Sequence, residues 1–171
     1  QKKPTGLPEA FKIGKNFIKN DPVTLILGDN IFYNKNFFKM TKKAFKDDKN
    51  ATILLKKVNN PKDFGILSVN KYNKIQIVEK PKKPKSNLAI TGLYFFPKDV
   101  IKKVYLLKPS KRGETEITEL INLYVKENRI NIINIKNSIW LDTGTPERLL
   151  LASNKVRNYK INKRIIIGNL N

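Results

Sequence analysis

Two carboxylates raise the first chemical question. Asp29 closes the stretch TLILGDN (24–30), and Asp142 follows Trp140 and Leu141 in SIWLDTGTPERLL (138–150). Each comes after an apolar run and before a turn of small or polar residues. Two carboxylates at strand ends, distant in sequence, can converge on one hard cation. Mg²⁺ accepts one or two carboxylates, with water and phosphate oxygens filling the rest of its shell. Each aspartate also has a plainer reading. Gly28-Asp29-Asn30 is good turn chemistry, and Asp142 lies where it can cap a helix beginning near Thr145. A third group sits in IVEKPKKPKSN (77–87), where Glu79 and Lys80 end a strand and Pro81 stops it. A lysine there can hold a phosphate as a point charge. Lysine is abundant throughout, however, and EKPK alone is ordinary loop composition.

Composition limits the other chemistries. The 171 residues suffice for one domain with a core of its own. There is no cysteine and no histidine. Disulfides, thiolate metal sites, histidine triads and His-ligated zinc are therefore excluded, and a metal must sit on oxygen ligands. No apolar run is long enough to span a bilayer and no signal-peptide pattern is present, so a cytoplasmic, non-membrane protein is expected. The net charge of +21 admits a basic nucleic-acid-binding module as a rival class. The lysines are scattered rather than gathered or interleaved with aromatics, and arginine is scarce. Compositional drift toward Lys, Asn and Ile accounts for that pattern better, and no nucleic-acid partner is expected.

The elements that must position these groups alternate. Residues 6–20 suggest a helix with Phe11, Phe17 and Ile18 on one face, and PVTLILG (22–28) reads as a buried parallel strand. Residues 36–48 look helical. Strands are predicted over 51–58, 64–69, 74–80, 89–96 and 130–136. Helices are predicted over 97–107, with Pro97 at a first helical position, over 114–128, and over 145–156, with Thr145 as N-cap and Pro146 behind it. No repeat or low-complexity linker marks a boundary. The pattern predicts a single α/β domain: a layered, mostly parallel sheet with flanking helices. In such folds ligands bind outside the carboxyl ends of the strands, which is where Asp29 is expected.

GDNIFY, DFGI, VEKPKKPKSN, AITGLYFF, LKPSKRGETEIT and WLDTGTPERLLLASN occur here in an order and spacing that resembles the sugar-nucleotide pyrophosphorylases. The resemblance runs from Gln1 to about Lys160, with 161–171 as an irregular tail. It implies a Rossmann-like nucleotidyltransferase fold and a reaction that joins a sugar 1-phosphate to a nucleoside triphosphate and releases pyrophosphate. It further implies that Asp29 and Asp142 hold Mg²⁺ and that Lys80 holds the sugar phosphate. Gly65, Glu79, Ile90 and Tyr94 would surround the sugar, and Gln1, Gly6 and Leu7 would read the pyrimidine base. Within the family the resemblance leans toward dTTP and glucose 1-phosphate as substrates, in deoxysugar and surface-polysaccharide precursor synthesis, with UTP as the alternative. It implies a homo-oligomeric parent enzyme.

The family pattern begins with a strand and a glycine-rich loop bearing an arginine and a lysine, whose amides cradle the triphosphate. These 171 residues contain no such stretch, and the C-terminal helical part of the family is also absent. The expectation is a fragment of such an enzyme, N-terminally incomplete and inactive alone. Glu9 and Val78 stand where the family more often has Gln and a second Glu.

Overall fold

The structure is a computed structural model that describes residues 1, 3–72 and 74–163. Its central strand is β6 (Leu88–Phe96), buried along almost its whole length. On one side β6 pairs with β3 (Ala51–Lys57), and beyond β3 lies β7 (Ile130–Asn134). On the other side β4 (Gly65–Val69) meets the start of β6, and β1 (Val23–Ile26) pairs with its end. Beyond β4 comes β5 (Ile75–Glu79). Apart from this sheet, β2 (Asn30–Tyr33) and β8 (Ile139–Asp142) form an antiparallel two-stranded ribbon.

Helices cover both faces of the sheet. Alternate β6 side chains Tyr94 and Phe96 join Phe11, Ile53, Val100, Leu120, Ile121 and Tyr124 in the larger core. This core lies under α1 (Glu9–Ile13), α4 (Val100–Val104) and α5 (Ile117–Lys126). Leu93 and Phe95 point the other way and pack with Leu54, Ile135 and Ala44 of α3 (Phe37–Lys46). A strand buried on both faces needs apolar residues at every position, and AITGLYFF supplies nearly that. The last helix, α6 (Pro146–Lys163), begins as its sequence predicts: the Arg148 N–H donates to Thr145 Oγ1 at 3.2 Å, with Pro146 in the first turn.

The α/β layering holds, but the sheet is not mostly parallel. Among the described strand pairs only β3·β7 runs parallel, while β1·β6, β3·β6, β4·β5 and β4·β6 are antiparallel. Parallel neighbours need a long crossover, such as the one between β3 and β7 that includes α5. The link 70–74 between the paired strands β4 and β5 is of hairpin length. The stretch 22–28 is likewise no buried parallel strand, since β1 alternates between half-buried and exposed and runs antiparallel to β6. Phe17 does not share a buried face with Phe11. Gly14 breaks that helix in two, the second piece being α2 (Lys15–Ile18), and Phe17 is 91% exposed. Pro97 precedes α4 in a turn, accepting from the Val100 N–H at 3.0 Å, rather than opening the helix. The expected tail at 161–171 lies outside the described residues from 164 onward. No helix among the described residues is long and apolar enough to cross a membrane.

Candidate active site

The two carboxylates converge, by a route different from the one strand ends alone suggest. β2 and β8 pair with Asn30 opposite Asp142, so the residue before Asn30 and the last residue of β8 become neighbours. The turns after each are locked together, because Thr143 donates twice to the Asp29 carbonyl, from N–H at 2.8 Å and from Oγ1 at 2.9 Å. A Cβ built on Gly144 would lie 2.8 Å from Asp29 Oδ2 and 3.1 Å from Asp142 Oδ1. The two oxygens therefore face one small space, which a glycine keeps open. Asp142 does not cap α6, a place taken by Thr145; its Oδ1 accepts from the Gly144 N–H at 2.9 Å in the turn before the helix.

Asn30 organises this corner. Its Nδ2 donates to Asp29 Oδ1 at 2.7 Å, while its Oδ1 accepts from Trp140 Nε1 at 2.6 Å and from the Gly92 N–H at 3.0 Å. Any side chain on Gly92 would strike the Asn30 amide within 2.7 Å. That explains the glycine inside an otherwise apolar strand.

Seven of the residues singled out in the sequence line one cavity of about 200 Å³: Leu7, Gly65, Glu79, Lys80, Ile90, Tyr94 and Asp142. Glu79 is the last residue of β5, opposite Gly65. A Cβ on Gly65 would lie 2.7 Å from Thr118 Cγ2, 3.4 Å from Glu79 Oε2 and 3.5 Å from Ile90 Cδ1, so glycine is what leaves the floor of the cavity open. Lys80, the next residue, has φ 37, a left-handed backbone that a lysine rarely adopts. Its N–H donates to the Phe64 carbonyl at 3.1 Å, and its side chain is exposed at the rim. Burial, with the charge of Glu116 beside it, pushes the Glu79 carboxyl above its usual range, against the pull of Lys80 and Arg112. Burial also pushes the Tyr94 phenol up, helped by Glu79 and Asp29. Thr91 and Thr118 line the same cavity; the buried Thr91 hydroxyl has no hydrogen-bond partner among the described residues, whereas the Thr118 hydroxyl leans on Glu79 and helps hold its carboxyl down.

Gln1 and Gly6 lie apart from the cavity lining. The Gln1 amide turns back on its own segment, donating to the Gly6 carbonyl at 2.9 Å. Gly6 has φ 110, and a Cβ there would lie 2.0 Å from the Thr115 carbonyl oxygen. This segment is thereby clipped to the 110–116 loop, where Thr115 also donates from its hydroxyl to the Thr5 carbonyl at 2.9 Å. That loop carries Arg112, a residue to which sequence reasoning gave no role although RGETEIT was among the marking blocks. Its Nη1 lies 3.9 Å from Glu79 Oε1 and 3.6 Å from Glu116 Oε1, a cation between two carboxylates at the edge of the site.

Together these features define an α/β protein with a small, polar, glycine-floored cavity beside a carboxylate pair. The nucleotidyl transferase family pattern matches residues 1–159. The chain is 42% identical over 159 residues to a glucose-1-phosphate thymidylyltransferase of Neisseria meningitidis, covering 92% of this chain and 55% of that protein. It is 38% identical over 170 residues to one of Mycolicibacterium smegmatis, covering 98% and 59%. A solved structure described as a glucose-1-phosphate thymidylyltransferase from Bacillus anthracis, in complex with a sucrose, superposes with a TM-score of 0.77 at 35% identity, covering 90% and 61%. A UDP-glucose pyrophosphorylase complexed with UDP-glucose superposes at 0.79 with 25% identity, covering 92% and 64%. The chain belongs to the nucleotidyl transferase family. It spans little more than half the length of the curated relatives it matches.

Proposed function

We propose that the protein formed with these residues condenses dTTP with glucose 1-phosphate to dTDP-glucose and pyrophosphate. The observation that carries this reading is the single cavity uniting Gly65, Glu79, Lys80, Ile90 and Tyr94 with Asp142 and, beside it, Asp29. The partnerless hydroxyl of Thr91 and the half-buried Glu79 carboxyl suit a ligand rich in hydroxyl groups. Lys80, at the rim, is placed to meet the phosphate of that sugar.

In the reaction the sugar-phosphate oxygen attacks the α-phosphorus, and the bond from that phosphorus to the pyrophosphate oxygen breaks in line. No covalent intermediate on the chain is needed. The residues orient the sugar phosphate and offset its charge, which is how most of such a barrier is lowered. The carboxylate pair fits a small divalent cation, since two oxygens of different residues face the space that Gly144 leaves open. Asp29 and Asp142 would hold Mg²⁺, which would supply Lewis-acid stabilisation of the phosphate charge. No third Asp or Glu completes such a site among the described residues, so phosphate and water must. Gln1, Gly6 and Leu7 form the segment proposed to read the thymine base, in a cytoplasmic, homo-oligomeric enzyme.

A uridylyltransferase is the second reading, supported by the likeness to the UDP-glucose complex. Competition between dTTP and UTP, read as pyrophosphate release with glucose 1-phosphate, separates the two. Preference for dTTP supports the first reading; equal or better use of UTP replaces it with the second; release with neither retires both. That assay requires a protein carrying a triphosphate loop. The 171 residues, which contain none, are expected to bind the sugar phosphate without turnover.

A further inference from the structure

Arg148 occupies a place that a divalent cation would contest. It lies in the first turn of α6, where its Nη1 donates to Asp142 Oδ2 at 2.8 Å and its Nη2 donates to Asp63 Oδ2 at 2.7 Å. The guanidinium also sits 5.2 Å over the Phe64 ring. Phe64 packs edge-on against Trp140 at 5.3 Å, and Trp140 and Asn30 carry the contacts on to Asp29. The charge is permanent and is held from three sides. Asp142 thus has one oxygen committed to Arg148, and only Oδ1 faces the space shared with Asp29. A bare divalent ion entering there meets two negative charges partly cancelled by a fixed positive one.

We propose that Arg148 is a positioning residue that weakens the hold of the Asp29/Asp142 pair on a bare divalent cation, so that the ion is held firmly only together with nucleotide phosphates. Those phosphates bring the negative charge that the guanidinium has offset, and they supply the oxygens the carboxylates lack. Asp63 tunes the effect by drawing the guanidinium partly toward itself. The inference rests on the cation reading above.

The test is Mn²⁺ binding to the 171-residue chain without nucleotide, followed by water-proton relaxation, with thermal melts alongside. Arg148→Gln is expected to bind Mn²⁺ more tightly than wild type, on the order of tenfold for a unit charge removed close to a divalent ion. Arg148→Lys, which keeps the charge, is expected to stay near wild type. Asp63→Asn is expected to bind more weakly, and it carries the test from outside α6 if Arg148→Gln does not fold. Adding Asp142→Asn to Arg148→Gln should abolish the gain. Equal or weaker binding by Arg148→Gln, or unchanged binding by Asp63→Asn, overturns the inference. If Mn²⁺ binds in the presence of dTTP but Arg148→Gln shows no gain without it, only this inference falls. Mn²⁺ that binds no variant even with dTTP, in a protein carrying the triphosphate loop, overturns the cation reading as well.

Discussion

Two polar clusters of similar make-up sit at different places on the sheet and are treated in opposite ways. Around Tyr124, Asp99 accepts from Arg129 Nη1 at 2.7 Å and from the Tyr124 hydroxyl at 3.0 Å. Glu127 accepts from Arg129 Nη1 at 3.0 Å and pairs with Lys103. Lys103 is 7% exposed, rests 4.8 Å over the Tyr124 ring, and lies 4.0 Å from Asp99. Here every charge has an opposite partner. Around the cavity, by contrast, two carboxylates crowd each other, Glu79 against Glu116, and the intervening Arg112 comes no closer than 3.6 Å to either. The buried Thr91 hydroxyl there has no partner, and Lys80 holds a backbone angle that costs energy. The first cluster finishes its own hydrogen bonds and so stabilises the fold. The second leaves bonds unmade, as a site must if a ligand is to make them.

Substitutions should separate the two regions by what they disturb. The largest effect is expected on catalysis: Asp142→Asn or Lys80→Ala in an enzyme with its triphosphate loop should lower pyrophosphate release by about 100-fold or more, with little change in melting. Next comes stability at the paired cluster. Asp99→Asn removes one of the two carboxylate partners of Arg129 and should cost about 1–3 kcal/mol in denaturant unfolding. A loss as small as that of an exposed lysine substitution would show the cluster to be ornamental.

Acid should act on the two clusters with opposite signs. Burial raises the Asp99 carboxyl, but Arg129, Tyr124 and Lys103 together outweigh it and hold the group below its usual range. Its contribution is therefore present above the ordinary carboxylate range and is lost as pH falls through the lowered value. Glu79 is raised, so its contribution is complete below the ordinary range and is lost as pH rises through the raised value. Asp99→Asn should flatten the acid limb of a stability–pH curve, and Glu79→Gln should flatten the decline on the neutral side while raising neutral-pH stability by about 1 kcal/mol. Equal curves for Glu79→Gln and wild type would contradict the site's internal strain. The smallest expected change is Thr91→Val, near neutral in stability because a partnerless hydroxyl is lost, yet weaker in glucose 1-phosphate binding.

Much of this was legible in the residues. Asp29, Glu79, Lys80 and Asp142 stood out because carboxylates and a lysine directly after apolar runs are locally visible. The α/β layering followed from alternation, and Thr145 and Pro146 announced α6. Strand direction was not legible: AITGLYFF is apolar at nearly every position whether its neighbours run parallel or antiparallel, and only the short link between β4 and β5 signalled an antiparallel pair. Phe17 misled because Gly14 ends a helix whose period had appeared continuous. Asn30, Thr118 and Arg148 act through partners far along the chain, as Asn30 does with Trp140 or Arg148 with Asp63. Such pairings appear only once β2 lies against β8 and α6 packs behind them.

The central claim is that the glycine-floored cavity is where a sugar phosphate binds. Isothermal titration of glucose 1-phosphate into wild type and Gly65→Ala tests it directly, because the added methyl would press on Thr118 Cγ2 at 2.7 Å and intrude on the cavity. The account predicts saturable binding to wild type and at least about tenfold weaker binding, near 1.4 kcal/mol, to a Gly65→Ala variant that still melts cooperatively. No binding to wild type, or the same affinity in both, would contradict it.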